Sequence, residues 1–286
     1  MTQGILLYAH NNRTVDYASM AVIAGGLAKK NLQVPVSLVT DTSTIAWMKE
    51  SDIFNQAESL FDQIITVDRP TTDNQRRLHD GQASQLIPFI NTNRNTAWEL
   101  TPYDRTLLID SDFFILSNSL GEYWNVDADV MLGSAINDIY NDSRVGYLDR
   151  HVSDTGVKMY WATTVMFSKN ANAKLFFDTV NYVKENYSQF ADVFRFDSRQ
   201  FRNDIAFSVA KHILDGYQQD DVLSLPPVLS ALDKDILHSV NSNTLTFLVD
   251  YKLINSYCAT AISNIDIHIM NKQSVIRNKQ ALLELI

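Results

Sequence analysis

The segment Tyr103-Asp104-Arg105-Thr106-Leu107-Leu108-Ile109-Asp110-Ser111-Asp112 constrains this chain more than any other. An apolar run, residues 107–109, leads into two carboxylates one residue apart, and a second apolar run, residues 113–116, follows at once. Runs of this kind read as buried strands. Charges between buried strands are costly unless something pairs them. In an extended segment residues i and i+2 point the same way. Asp110 and Asp112 can therefore converge on one divalent cation, through the hard oxygen ligands that Mg²⁺ or Mn²⁺ prefer. Asp-x-Asp is also short and common, and a strand ending in a turn with two solvated aspartates fits it equally well.

The rest of the chain shifts that balance. Residues 5–9 form an apolar run, read as a strand, which empties into the polar loop 10–13. A helix is expected over 17–30 with Asn31 as its stop, a strand over 36–41, a helix over 42–50 and a strand over 64–68. Strand–helix–strand alternation signals a parallel, doubly wound sheet. Ligands of such sheets sit beyond the carboxyl ends of the strands, which puts the loops at 9–13, at Asp41 and at 110–112 on one edge. Residues 69–85 carry Arg76, Arg77 and His79 and read as a loop or weak helix, either solvated surface or a mobile lid over phosphates. Residues 86–100 look helical, contain Arg94 and end before Pro102.

Beyond the aspartate pair, 129–133 reads as a strand that ends near Asp138, 141–155 as a loop and 159–168 as a β-rich segment. Residues 170–186 have the periodicity of an amphipathic helix. Phe201-Arg202-Asn203-Asp204 opens another helix, running to about Leu214; there Asp204 also suits a helix dipole. Residues 223–227 close a strand, and 244–248 with Ala261 suggest a small β element. Residues 265–270 alternate, placing Asp266 and His268 on one face. Residues 273–286 read as a terminal helix after a single domain spanning 1–272.

Charge and cysteine content narrow the functional classes. The net charge of −9 argues against broad electrostatic binding to nucleic acid or anionic membrane, with the Arg76-Arg77 region as a local exception. The single cysteine, Cys258, permits no intrachain disulfide and suits a reducing compartment; it reads as a small core residue. The first residues lack a basic segment followed by an apolar core, and no apolar run approaches the ~18 residues that span a bilayer. The expectation is a cytoplasmic protein.

Four stretches together resemble the GT-A-fold glycosyltransferases that use a nucleotide-sugar, in particular the glycogenin and lipopolysaccharide galactosyltransferase group (family 8). They are Tyr8-Ala9-His10-Asn11, Arg94, the segment 103–112 and His268-Ile269-Met270-Asn271-Lys272, and the likeness runs over residues 5–272. It implies a Rossmann-like, mixed and mostly parallel sheet flanked by helices, with a small second β element. It implies a donor that is a uridine-diphosphate sugar, a Mn²⁺ or Mg²⁺ held by Asp110, Asp112 and His268, and retention at the anomeric carbon. Lys272, Arg94 and Ser111 would face the diphosphate. Tyr8, Ala9 and Asn11 would hold the uridine, with Arg13 and Tyr17 as weaker candidates. Asp138 falls where the family keeps a carboxylate against the sugar hydroxyls, and Asn203-Asp204 where it keeps polar groups beside the reacting carbon. The family's Asn-Ala-Gly-Val strand is here Ala162-Thr163-Thr164-Val165, so the Asn that contacts the sugar is missing, and Asn271-Lys272 replaces a longer Gly-containing spacing.

Other readings have weaker support. A nucleotidyltransferase would want a Gly-rich phosphate loop after the first strand, and residues 9–13 contain no glycine. A phosphatase using the first Asp as nucleophile expects Thr or Val where Phe114 stands. A non-catalytic binding protein with a degenerate transferase fold stays open. The acceptor is open among a glycan, a protein side chain and a modified nucleobase.

Overall fold

A computed structural model describes residues 1–51, 53–217, 223–242, 244–251 and 256–286. The chain begins with strand Gln3–Tyr8 (β1), helix Tyr17–Leu32 (α1), strand Val36–Asp41 (β2), helices Thr42–Glu50 (α2) and Phe54–Leu60 (α3), and strand Gln63–Val67 (β3). Asp16 caps α1 by accepting from the Ser19 N–H, and Gln33 closes it in the left-handed conformation, two residues beyond the expected stop at Asn31. β1, β2 and β3 lie parallel and adjacent, as the strand–helix alternation requires.

Residues 69–100 depart from expectation. Strands Gln75–Asp80 (β4) and Ala83–Pro88 (β5) form an antiparallel hairpin where a loop or weak helix was expected. Gly81 and Gln82 form its two-residue tip, where Gly81 has φ of +58°, a turn signal that the polar composition obscured. Leu78 and Ile87 are buried, which makes the hairpin one-sided. The helix expected over 86–100 is also mostly absent. Pro88 ends β5, the Asn- and Thr-rich stretch beyond it gives a 3-10 turn at Arg94–Thr96, and only Ala97–Leu100 (α4) is helical.

Strand Arg105–Ile109 (β6) returns beside β1 in parallel, and the short strand Phe113–Phe114 (β7) leaves the sheet. Strands Val130–Gly133 (β8), Ile136–Asp138 (β9) and Trp161–Ser168 (β10) follow, with two 3-10 turns between β9 and β10. The main sheet runs β3-β2-β1-β6-β10-β8, with β10 antiparallel to both its neighbours. Helices Ala171–Glu185 (α5), Tyr187–Phe194 (α6) and Asn203–Leu214 (α7) come next. Phe176 and Phe177 of α5 meet Phe207 of α7 at 5.7 and 5.8 Å between ring centroids, and Phe177 meets Phe167 of β10 at 4.7 Å. This aromatic cluster, with the fully buried residues of β1, β6 and α1, makes one continuous core.

Strands Val228–Ala231 (β11), Ile236–Asn241 (β12), Thr244–Tyr251 (β13), Ser256–Ser263 (β14) and Ile267–Ile269 (β15) complete the β structure. β12, β13 and β14 form a three-stranded meander, the small second β element, and β7-β15-β11-β9 form a separate four-stranded sheet. The C-terminal segment is two short helices, Lys272–Arg277 (α8) and Lys279–Leu283 (α9), broken at Asn278. Asp266 stays outside β15; its carboxylate accepts from the Leu116 and Ser117 N–H groups and pins that loop.

A buried polar knot ties β1, β2 and the segment after β3 together. Asp41 caps α2 by accepting from the Ser43 and Thr44 N–H groups, faces His10 Nδ1 at 2.8 Å and meets Arg69 at 3.2 Å. Burial pushes the Asp41 carboxyl up, but Ser43, His10 and Thr44 outweigh it and hold its pKa well below the ordinary range. Burial holds His10 below its ordinary 6.5, against the pull of Asp41, and does the same to His212.

The signs agree. Below 6.5 the unfolded chain takes up protons at these histidines that the folded chain refuses, so stability is lost as pH falls. Asp41 stabilises above its unfolded value of 3.8, and that contribution is lost as pH falls towards its depressed folded value. The melting temperature should therefore fall from about pH 7 to about pH 5 through the histidines and again below about pH 4 through Asp41, while Asp110, Asp235 and Asp266, whose carboxyls burial pushes up, act the other way in the acid range. The double variant His10→Gln, His212→Gln should flatten the upper half of that slope; an unchanged slope refutes the assignment.

Candidate metal and diphosphate site

The chain steps outward from β1 to β2 and β3, then returns to β6 on the other side of β1. Such a reversal opens a crevice at the carboxyl ends of the two strands, where α/β sheets bind ligands. Tyr8, at the end of β1, and Asp110, just beyond β6, both line a cavity of about 400 Å³ there.

The two aspartates converge through a turn rather than by strand alternation. The Phe113 N–H donates to the Asp110 carbonyl at 3.1 Å, closing a β-turn in which Asp is favoured at the first position. β7 then pairs with β15, setting Phe113 opposite His268, and the Ile269 N–H donates to the Asp112 carbonyl at 2.9 Å. This register brings His268 Nε2 to 3.4 Å from Asp112 Oδ1. One ligand atom each from Asp110, Asp112 and His268 fall within 4.8 Å of one another. Two carboxylates and an imidazole fit Mn²⁺, or Mg²⁺ with less help from the nitrogen.

Three cationic side chains surround this cluster. Arg94 is 3% exposed, donates to the Ala162 carbonyl and lies 3.0 Å from Asp110. Its Nε and one terminal nitrogen are buried without a protein partner. Lys184 of α5 fixes the turn that carries Arg94, donating to the Thr92 carbonyl and to the side chains of Asn93 and Asn95; burial pushes its pKa down to about 8. Lys272, the first residue of α8, is 2% exposed and bonded to Asp112. Asn271 caps that helix from the Ser274 N–H.

Arg76 of β4 completes the set, with its guanidinium 5.0 Å from the Phe89 ring centroid. Burial would lower its pKa, but neighbouring Tyr17, Asp112 and Asp110 reverse that and raise it. An ion pair between Arg277 and Asp80, two contacts of 2.7 Å, ties the hairpin to α8.

The two aspartates sit in opposed environments. Burial pushes the Asp110 carboxyl up, with Arg94 only partly offsetting it, although a third of the side chain reaches the cavity. Burial also acts on Asp112, but Lys272 and His268 outweigh it and hold its carboxyl well below the ordinary range.

Asp204 opens α7 and also lines the cavity; its Oδ1 accepts from the Ala162 N–H at 3.0 Å and its Oδ2 lies 3.5 Å from Arg202. Asn203 lines the cavity beside it and donates to the Asn91 carbonyl at 3.1 Å. Of the other expected site residues, Tyr8, Tyr17, Arg94, Ser111 and Lys272 line the cavity. Burial pushes the Tyr17 hydroxyl up to about 12. Ala9, Asn11, Arg13 and Asp138 stand outside that lining.

Each of these four has another role or setting. Ala9 pairs with β2 and accepts from Thr40. Asn11 accepts from the Ala18 N–H and so supports the start of α1. Arg13 is exposed. Asp138 accepts from the Tyr140 and Asn141 N–H groups and from Arg144. Arg76 lines the cavity although the sequence left its segment open between solvated surface and a mobile lid over phosphates. The signal was present: Gly81 sets the hairpin turn, and period two then puts Arg76 on the same side as buried Leu78.

No protein-family model matches the chain, and no curated protein sequence does. Solved structures do. The chain is similar to the galactosyltransferase LgtC in complex with donor and acceptor sugar analogs, at 15% identity over 72% of this chain and 70% of that one, with a TM-score of 0.45. It is similar to PaToxG glycosyltransferase at 10% identity over 74% of this chain and 68% of that one, with a TM-score of 0.40. The glycosyltransferase GlyE of Streptococcus pneumoniae TIGR4 matches at 12% identity over 76% of this chain and 44% of its own length, with a TM-score of 0.39.

Proposed function

We propose that the chain is a metal-dependent glycosyltransferase that moves a sugar from a uridine-diphosphate sugar to a hydroxyl acceptor. One observation carries this reading. Asp110, Asp112 and His268 converge within 4.8 Å at the switch point of the sheet, in a cavity that also holds Arg76, Arg94 and Lys272. Such an arrangement suits a ligand that brings both a divalent cation and a diphosphate. A nucleoside diphosphate leaves poorly unless its growing charge is neutralised, and Mn²⁺ held by the three ligands would supply that as a Lewis acid.

The chain's own residues do the rest. Arg94 lines the cavity with its guanidinium desolvated and fixed beside Asp110, so an anion there meets a positive charge already in place. Arg76 offers a planar fork from the hairpin, while Lys272 is a compact point charge. Tyr8 and Tyr17 give the cavity an apolar wall beside the phosphates. Asp204 is held by the Ala162 N–H, which fixes its carboxylate for a sugar hydroxyl or the developing charge at the reacting carbon. Asn203 adds an amide at the same end.

Turnover tests the reading. With Mn²⁺, the protein should release UDP from at least one of UDP-glucose, UDP-galactose and UDP-N-acetylglucosamine, and EDTA should stop it. Proton NMR of the product's anomeric signal then reads whether configuration is retained. Arg76→Ala should lower kcat/KM on the order of tenfold to a hundredfold, the range expected for a lost hydrogen bond to a charged group. Unchanged kinetics for Arg76→Ala would remove the hairpin from the donor site.

A further inference from the structure

We infer that Lys184 is a covalent acylation site, reached by acyl phosphates or acyl thioesters through a cavity of its own, and that its acylation lowers turnover by releasing Arg94. The effect on turnover rests on the transferase reading; the site itself does not. Lys184 is half-buried and lines a cavity of about 480 Å³ together with Asp68, Arg69, Thr92, Asn93 and Phe201. Its ammonium is held by neutral oxygens. It donates to the Thr92 carbonyl at 2.8 Å and to the side chains of Asn93 and Asn95 at 2.8 and 3.1 Å. Its Nζ stands 5.6 Å from the centroid of the Phe201 ring. None of these groups carries a negative charge.

The surroundings favour the free amine, which is the nucleophilic form of a lysine. Burial pushes Lys184 down to about 8, and Glu185, the next residue, offsets this only in part. Asp68 and Arg69, both exposed, oppose one another in charge at the cavity wall. On the order of a tenth of Lys184 is then free amine at pH 7, against well under a thousandth of an ordinary lysine. In the reaction the nitrogen lone pair attacks the acyl carbon and a C–N bond forms. The C–O bond to phosphate, or the C–S bond to the thiol, breaks, and the leaving group takes the bonding pair. One amine proton passes to solvent, and nothing is oxidised or reduced. The resulting amide has one N–H and no charge, where the ammonium had three donors. At most one of the three contacts to the turn survives. Arg94 opens that turn and stands 3.0 Å from Asp110. Lys184 is therefore a positioning residue for Arg94, and acylation removes its hold.

Incubation of the full chain with acetyl phosphate or with acetyl-CoA, followed by mass spectrometry of its peptides, tests the site and separates the two acyl sources. With at least one of them, Lys184 should be acetylated at least about threefold faster than the exposed Lys30 and Lys49 at about pH 7.5, because its free-amine fraction is far larger. Its rate should level off above about pH 8, while theirs keep rising. UDP release by the treated wild type should fall on the order of tenfold as Lys184 fills, the range for lost hydrogen bonds from a charged group. Lys184→Gln, which imitates the acylated side chain, should show the same fall in kcat/KM without treatment. Lys184→Arg should keep its own untreated rate when the acyl donor is added. Acetylation of Lys184 no faster than that of Lys30 and Lys49, with both reagents, would overturn the site. Full occupancy with unchanged turnover, or unchanged kcat/KM in Lys184→Gln, would overturn its hold on Arg94. An untreated wild type that releases UDP from no donor would instead overturn the transferase reading, with the occupancy of Lys184 still measured.

Discussion

Asp112→Ala is expected to lower donor turnover on the order of a thousandfold or more, as expected when charge stabilisation at a leaving group is removed. It should also destabilise the fold. Lys272 is 2% exposed and bonded to Asp112, so the variant leaves an ammonium buried without its partner. Breaking a buried pair from one side costs about 3–5 kcal/mol. For a chain of this size that is a fall in melting temperature on the order of 10 °C. The double variant Asp112→Ala, Lys272→Met removes the stranded charge. It should recover most of the stability and none of the turnover. Turnover in the double variant, followed as UDP release, would remove both Asp112 and Lys272 from the donor site.

Arg94→Met should show the opposite pattern. The guanidinium is 3% exposed, and two of its nitrogens have no protein partner. The resting fold thus carries an arginine whose donors are only partly satisfied. Asp110 beside it is already pushed up by burial, so it can take a proton when the arginine is gone. The melting temperature should change by only a few degrees, while kcat/KM falls on the order of a hundredfold. Arg94→Lys should not restore it, because an ammonium cannot reproduce the planar fork. Full turnover by Arg94→Met, measured beside its thermal melt, would remove Arg94 from the donor site.

Some elements were readable because local pattern and tertiary role agree. The short apolar runs of β1, β2 and β6 are buried throughout, so continuous hydrophobicity marked them. Asp110, Asp112 and His268 were legible as a set only through order along the chain and a family likeness. Neither periodicity nor spacing shows that β7 pairs with β15, and that pairing is what joins them.

The failures have equally local causes. The hairpin 75–88 is rich in polar residues because one side faces solvent and the other a charged cavity, so it lacks the apolar alternation of an ordinary strand pair. The place of Arg76 was therefore left open between surface and lid. The helix expected over 86–100 was drawn through Pro88 and through the Asn-rich turn that Lys184 holds from α5, an anchor 92 residues away in sequence. Asp138 carried a role suggested by its place in the chain, while its side chain closes its own turn and holds Arg144.

The central claim is that Asp110, Asp112 and His268 hold a divalent cation that a nucleotide diphosphate completes. Isothermal titration of the wild type with UDP, with and without Mn²⁺, tests it most directly. Saturable one-to-one binding is expected with Mn²⁺, at least about tenfold weaker binding without it, and no metal-dependent gain in Asp112→Ala. Binding of equal strength with and without Mn²⁺, or the same metal-dependent gain in Asp112→Ala, would contradict it.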